Sequence, residues 1–83
     1  MKEYVSVDVE TTGLAPKQDK IIEIGAVRVR DGQIVGSFTS FVNPGRILPA
    51  HITELTGILQ EQVDEAETME SVLPAFLEFA GDL

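Results

Sequence analysis

The sequence predicts an α/β fold, an antiparallel three-stranded meander covered by a packing helix, and three observations predict it. Residues 4–9 alternate, with Val5, Val7 and Val9 on one face and Tyr4, Ser6 and Asp8 on the other, which is the period of a β-strand. Asp31-Gly32 separates two β-branched runs and suits a two-residue hairpin, because type I′ geometry needs positive φ at both positions. Towards the end, Val72, Leu73, Phe76, Leu77 and Ala80 recur at helical spacing and form an apolar stripe.

After the first strand, residues 11–20 read as a loop punctuated by Gly13, Pro16 and Asp19. Residues 20–30 form a long β-branched run, apolar on both faces at its start and alternating at its end. That pattern suits a strand covered on both sides at one end and solvated at the other. Its partner covers residues 33–42, with Ile34, Phe38 and Val42 facing opposite to Val35 and Phe41, and Asn43-Pro44-Gly45 ends it. A loop through Pro49 leads to a short helical turn over residues 52–56, stopped by Gly57 in the C′ position. The acidic, weakly apolar residues 61–67 read as a turn or short helical connection. The final helix covers residues 69–80, with Thr68 as N-cap and Gly81 as stop. Pro74 lies inside it, lacks an N–H, and is expected to kink the helix or shift it towards its C-terminal half.

A chain of 83 residues makes one small domain at most, and such a domain buries only roughly 60–65% of the surface its unfolded form exposes. The absence of cysteine excludes disulfide stapling and zinc–thiolate sites, and suits a reducing, cytoplasmic setting. No signal-peptide pattern opens the chain and no apolar run approaches the roughly 20 residues that span a bilayer, so no membrane partner is expected. The net charge of −8, with six scattered basic residues, argues against a broad electrostatic grip on a nucleic-acid backbone. A metal-dependent nuclease escapes that objection, because bound divalent ions supply positive charge at the scissile phosphate.

The chemistry concentrates in Val7-Asp8-Val9-Glu10-Thr11-Thr12-Gly13-Leu14. Strand side chains alternate, so Asp8 and Glu10 point the same way, about 6.6–6.8 Å apart along the backbone. From there both can share a hard cation such as Mg²⁺ or Mn²⁺ through oxygen ligands. In the turn that follows, Gly13 is expected to provide a positive φ, and Leu14 either anchors the loop to the core or meets a ligand. Glu23, inside an apolar strand, is expected to find a structural hydrogen-bond partner, with a place near the metal face as the alternative. His51, the only histidine, reads as an ordinary loop residue.

This motif, followed by the Ile-rich residues 21–27 and the Asp31-Gly32 hairpin, resembles the first motif of the DEDD-family (DnaQ-like) 3′–5′ exonucleases, most of all the epsilon-type proofreading subunit or exonuclease domain of bacterial DNA polymerase III. The resemblance implies a ribonuclease H-like fold of which residues 1–83 are the N-terminal portion. In that fold a fourth strand would follow the last helix and pair with the first. The resemblance also implies a two-metal Mg²⁺ or Mn²⁺ site. Asp8 would bridge both ions, and Glu10 would hold the more deeply bound ion and touch the terminal 3′-hydroxyl. Backbone amides of Thr11, Thr12 and Gly13 would meet the terminal sugar, Leu14 would wedge beside its base, and Leu55 and Thr56 would line the same pocket. A single-stranded or frayed 3′ end of DNA is the expected substrate, with RNA trimming as an alternative, and a DNA polymerase subunit is an expected partner. The family needs four carboxylates and a base to activate water, so these residues alone are expected to be inactive. A different class of function is also open: a non-catalytic assembly module whose exposed first strand pairs with another chain.

Overall fold

The computed structural model describes residues 2–15 and 17–82. Three strands, β1 (Glu3–Thr11), β2 (Ile21–Arg30) and β3 (Gln33–Phe41), pair antiparallel in the order β1-β2-β3. Three helices follow: α1 (Ala50–Thr56), α2 (Gln60–Asp64) and α3 (Met69–Ala80). The β2–β3 hairpin turns on Asp31 and Gly32, at φ 50° and 81°, as a type I′ turn requires. The Asp31 backbone N–H donates to the carbonyl of Lys2, and its side chain accepts from the Lys2 N–H, which ties the start of β1 to this turn.

Helix α3 packs on one face of β2 and β3. Ile24, Val42 and Val72 are buried there, with Ile21, Phe38, Met69 and Phe76 against them. Phe38 meets Phe76 edge-on at 5.7 Å between ring centroids. A second buried cluster joins the start of β2 to the shorter helices through Ile22, Leu48, Ile52, Ile58 and Val63. Arg28 closes the far end of α3. Its guanidinium pairs with Glu3, lies over the Phe79 ring and donates to the Phe79 carbonyl, so a cation sits at the negative end of the helix dipole.

Several sequence expectations need correction. At the start of the strand of residues 20–30, Ile21 and Ile22 each pack against a buried cluster, as expected, but the far end is not simply solvated, since Val29 is buried; between them Ile24 and Ala26 are buried while Glu23 and Gly25 stay partly exposed. The β2–β3 register pairs Arg28 with Gly36 and Val29 with Ile34, so β3 carries an extra residue at Val35. That bulge breaks the alternation and turns Ile34 to the face opposite Phe38. The acidic 61–67 stretch hides a core residue, since α2 brings Val63 to complete burial. Gln62 holds the start of α2 by accepting the Leu59 N–H on its side-chain oxygen. Thr68 occupies the N-cap of α3 but makes no side-chain capping bond, and α3 starts at Met69 without a shift despite Pro74. Leu73 and Leu77 project outwards, so the buried α3 stripe narrows to Val72, Phe76 and Ala80. His51 lies in α1, which begins two residues earlier than expected, directly after Pro49.

The face of the sheet away from α3 carries no covering layer among the described residues. The Cα radius of gyration is 14.0 Å, against about 12 Å for a compact domain of this length. β1 pairs with β2 alone, and Val7 and Val9 stay largely exposed on this edge strand.

Candidate active site

Asp8 and Glu10 sit near the C-terminal end of β1 and are two residues apart on one continuous strand, so they share a face. The register sets Asp8 opposite Gly25 and Glu10 opposite Glu23, on the uncovered face of the sheet. Immediately beyond, the register shifts from Glu10↔Glu23 to Thr11↔Ile21, leaving Ile22 as an extra residue of β2. Bulges of this kind re-aim the strand end beside which they occur. This one drives Ile22 into the cluster under α1 and α2 while Glu10 stays on the open face.

The surroundings of the acid pair are open. A shallow groove of about 330 Å³ is lined by Ser6, Asp8, Gly25, Val27, Ser37 and Thr39, with Ala26 at its base. A Cβ added at Gly25 would meet nothing within 4 Å. Within this chain, no neighbour requires glycine there, although glycine inside a strand costs about 0.5–1 kcal/mol relative to alanine. Asp8, Glu10 and Glu23 make no ion pair or side-chain hydrogen bond among the described residues, so the expected hydrogen-bonding role of Glu23 is not found. Instead Glu23 faces Glu10 directly, and like charges opposed across strands are destabilising. No group of three or more metal-ligating side chains converges among the described residues. The larger cavity, about 490 Å³, lies between Lys20-Ile21, Asn43-Pro44 and the start of α3, and does not include Asp8 or Glu10. Asp8 and Glu10 define the candidate site, because they share one strand face and are unpaired among the described residues, whereas the acids lining the larger cavity, Asp19 and Glu70, lie on separate elements and Asp19 is already bonded to Thr12 and Ala15.

The described residues of the β1–β2 loop bond one another through their side chains. Thr12 is 3% exposed; its N–H donates to the Lys20 carbonyl at 2.9 Å, and its hydroxyl accepts the Lys20 N–H at 2.9 Å. That hydroxyl donates in turn to Asp19 Oδ1 at 2.8 Å, and the Ala15 N–H donates to Asp19 Oδ2 at 2.8 Å. The Ala15 amide first, and then the Thr12 hydroxyl, hold the Asp19 carboxyl below its ordinary pKa, with help from the positive charges of Arg46 and His51. Thr11 donates from its hydroxyl to the Gly13 carbonyl at 2.6 Å. Gly13 does not have a positive φ, contrary to expectation. A Cβ there would fall 2.6–2.9 Å from the three carboxylate atoms of Asp19, so a larger residue would displace that carboxylate from its hydrogen bonds; close approach, not backbone handedness, is what the glycine allows.

Leu14 is 100% exposed, which excludes the reading that it anchors the loop to the core. Leu55, in α1, is 79% exposed. The Thr56 hydroxyl is engaged internally, donating to the Ile52 carbonyl and accepting the Ile58 N–H. Among the described residues, the N–H groups of Gly13 and Leu14 have no partner. Asp19 is the residue that sequence reasoning passed over, noting it only as loop punctuation. Its available signal was a short acid spaced to bond both a nearby Thr and a loop amide, the local pairing that Asp favours in turns.

A three-stranded antiparallel sheet covered by a helix, with an acid pair at the end of its first strand, defines the class: an exonuclease of ribonuclease H-like fold. The exonuclease family profile, RNase_T, matches residues 5–83, and the chain belongs to that family. The PolC-type DNA polymerase III of Clostridium perfringens is 55% identical over 80 residues, which is 96% of this chain and 6% of that protein. The corresponding enzyme of Latilactobacillus sakei is 51% identical over 80 residues, again 96% of this chain and 6% of the relative. Among solved structures, the nuclease domain of 3′hExo, a DEDDh family member bound to rAMP, superposes with a TM-score of 0.82 at 29% identity, covering 93% of this chain and 42% of that one. Exonuclease X in complex with 5′ overhanging duplex DNA superposes with a TM-score of 0.77 at 32% identity, covering 88% and 42%. The chain thus spans about 6% of the length of the PolC-type relatives. The family is divalent-metal dependent, and no helix among the described residues is long and apolar enough to cross a membrane.

Proposed function

We propose that residues 1–83 are the N-terminal portion of an exonuclease domain that removes mononucleotides from the 3′ end of DNA, with Asp8 and Glu10 as metal ligands at the reacting phosphodiester. The observation that carries this reading is the placement of both carboxylates, unpaired, on the open face of an exonuclease-family sheet at a bulge. Their donor set fits Mg²⁺ or Mn²⁺: hard carboxylate oxygens, no thiol or imidazole beside them, and space opposite Asp8 where Gly25 bears no side chain. The Glu10–Glu23 opposition adds negative potential that a cation would relieve. Bound divalent ions supply Lewis-acid stabilisation of the attacking and departing oxygens in such a displacement.

The chain's own residues hold and orient. Asp8 and Glu10 concentrate charge on one face, and the open Gly13 and Leu14 amides suit oxygen atoms of a terminal sugar. Leu14 and Leu55 present apolar surface to a base, and a frayed end is favoured because an unpaired base costs less to unstack. The internal bonds of Thr12 and Thr56 give those side chains a supporting role in the pocket, with Thr12 contributing through loop geometry. Two carboxylates are too few for two closely spaced ions, so the 83-residue chain alone is inactive. Association with DNA polymerase III is supported by the PolC-type relatives, and the absence of cysteine suits a cytoplasmic setting.

The test is hydrolysis of a 3′-mispaired DNA primer by the full-length protein. Activity should require Mg²⁺ or Mn²⁺, disappear with chelator, and fall by at least about 10²-fold in Asp8→Asn or Glu10→Gln. Retention of activity in both variants sinks the assignment, and faster trimming of a matched RNA oligomer would move the substrate class to RNA. The open edge of β1, with Val7 and Val9 exposed, favours a second reading in which this strand pairs with another chain. Sedimentation of the purified 83-residue chain as a monomer at high concentration would count against self-pairing.

A further inference from the structure

We propose that Asp19 is a positioning residue for the 3′ end: its carboxylate holds Thr12 and Ala15, on either side of Gly13 and Leu14, so that Leu14 stays extended towards the space a terminal nucleotide would occupy. The inference rests on the exonuclease reading above and adds a residue outside the family motif on which the sequence reading was built. Each Asp19 oxygen has its own donor, the Thr12 hydroxyl on Oδ1 and the Ala15 N–H on Oδ2, both at 2.8 Å. The Ala15 carbonyl accepts from the N–H groups of Gln18 and Asp19, and Arg46 donates to the Gln18 carbonyl at 2.7 Å. The carboxylate lies against Gly13, whose own carbonyl is held by Thr11.

Leu14 therefore sits between two immobilised residues while its side chain is wholly in water. An apolar side chain on a loose loop would lower its free energy by folding onto neighbouring apolar surface. On a locked loop it stays extended, and a base that stacks against it need not pay the ordering entropy. The same contact gives glycine a reason at residue 13, where φ is not positive, because a Cβ there would push the Asp19 carboxylate off its partners.

The experiment compares full-length wild type with Asp19→Ala, Asp19→Asn, Gly13→Ala and the Gly13→Ala/Asp19→Ala double variant. It measures kcat and KM on primers with paired and frayed 3′ ends, together with amide hydrogen exchange at Thr12, Ala15 and Lys20. Asp19→Ala should raise KM for the 3′ end about tenfold, change kcat much less, and reduce the preference for frayed ends. Asp19→Asn, which keeps an acceptor for Ala15 and a polar partner for Thr12, should restore most of the wild-type KM. Gly13→Ala should match Asp19→Ala, and the double variant should be no worse than Asp19→Ala, because removing the carboxylate makes room for the new Cβ. A residue that merely supported folding would lower the active fraction, and hence apparent kcat, while leaving KM and the frayed-to-paired ratio intact; that result overturns the proposal. Wild type without 3′-directed hydrolysis would bring down the exonuclease reading instead. In that event unchanged exchange protection in Asp19→Ala would also refute the lock, whereas lost protection would uphold it.

Discussion

Replacing Ile22 by alanine tests the physical link between the core and the candidate site. Ile22 is 0% exposed and lies at the bulge beside Glu10, packed with Leu48, Ile52, Ile58 and Val63. The substitution removes about three buried carbons, worth about 0.8 kcal/mol each, or about 2.4 kcal/mol of transfer free energy. A cavity term of about 24 cal/mol per Å³ of unfilled space brings the expected loss to about 3–4 kcal/mol. A domain of this length has roughly 4–12 kcal/mol in total, so the variant should lose about a quarter of its stability or more. Ile22→Val should cost about 0.5–1.5 kcal/mol, and Val35→Ala, at a half-exposed bulge position, less than about 0.5 kcal/mol. Urea denaturation followed by far-ultraviolet circular dichroism measures all three on one scale. The reasoning fails if Ile22→Ala and Val35→Ala cost the same, since the cluster would then not hold α1 and α2 to the sheet.

Two further outcomes follow from other parts of the fold. Pro74→Ala should stabilise the chain by about 1–2 kcal/mol, because alanine restores an interior helix bond worth more than the roughly 0.4–1 kcal/mol that proline saves in the unfolded state; a lower urea midpoint for the variant would contradict this. Glu3 is held below its ordinary pKa of 4.5, chiefly by its hydrogen bond from Arg28 and despite some desolvation. A depressed carboxylate pKa contributes stability that is fully present above the unfolded value and is lost as pH falls through the folded one. Stability should therefore decline below about pH 4.5, and Arg28→Ala should flatten the part of that decline due to Glu3; an identical pH profile for the variant, measured by thermal unfolding between pH 2 and 7, would exclude the pairing.

Short-range chemistry was legible in the residues themselves. The alternation of Tyr4 to Val9, the Asp31-Gly32 turn and the Gly57 stop are local signals, and each corresponds to an observed strand, hairpin or helix end. The shared facing of Asp8 and Glu10 belongs with them, because strand period alone dictates it. The readings that failed depend on contacts between distant segments. By themselves the acidic residues 61–67 read only as a turn or short helical connection, and Val63 within them is fully buried because α2 packs on Ile22. Ile34 changed faces because a bulge is decided between two strands and not within one. The role of Gly13 was misread for a different, local reason, since its constraint is a side-chain carboxylate in the same loop and not backbone handedness.

The sequence by itself determined the order of elements, the turn chemistry and the acid pair, all of which follow from backbone propensity and side-chain period over a few residues. Only the tertiary structure decided which face of the sheet is covered, which apolar residues form the core, and that Glu23 stands opposite Glu10. Those outcomes arise from burial and hydrogen bonding between segments that meet only once the chain has folded.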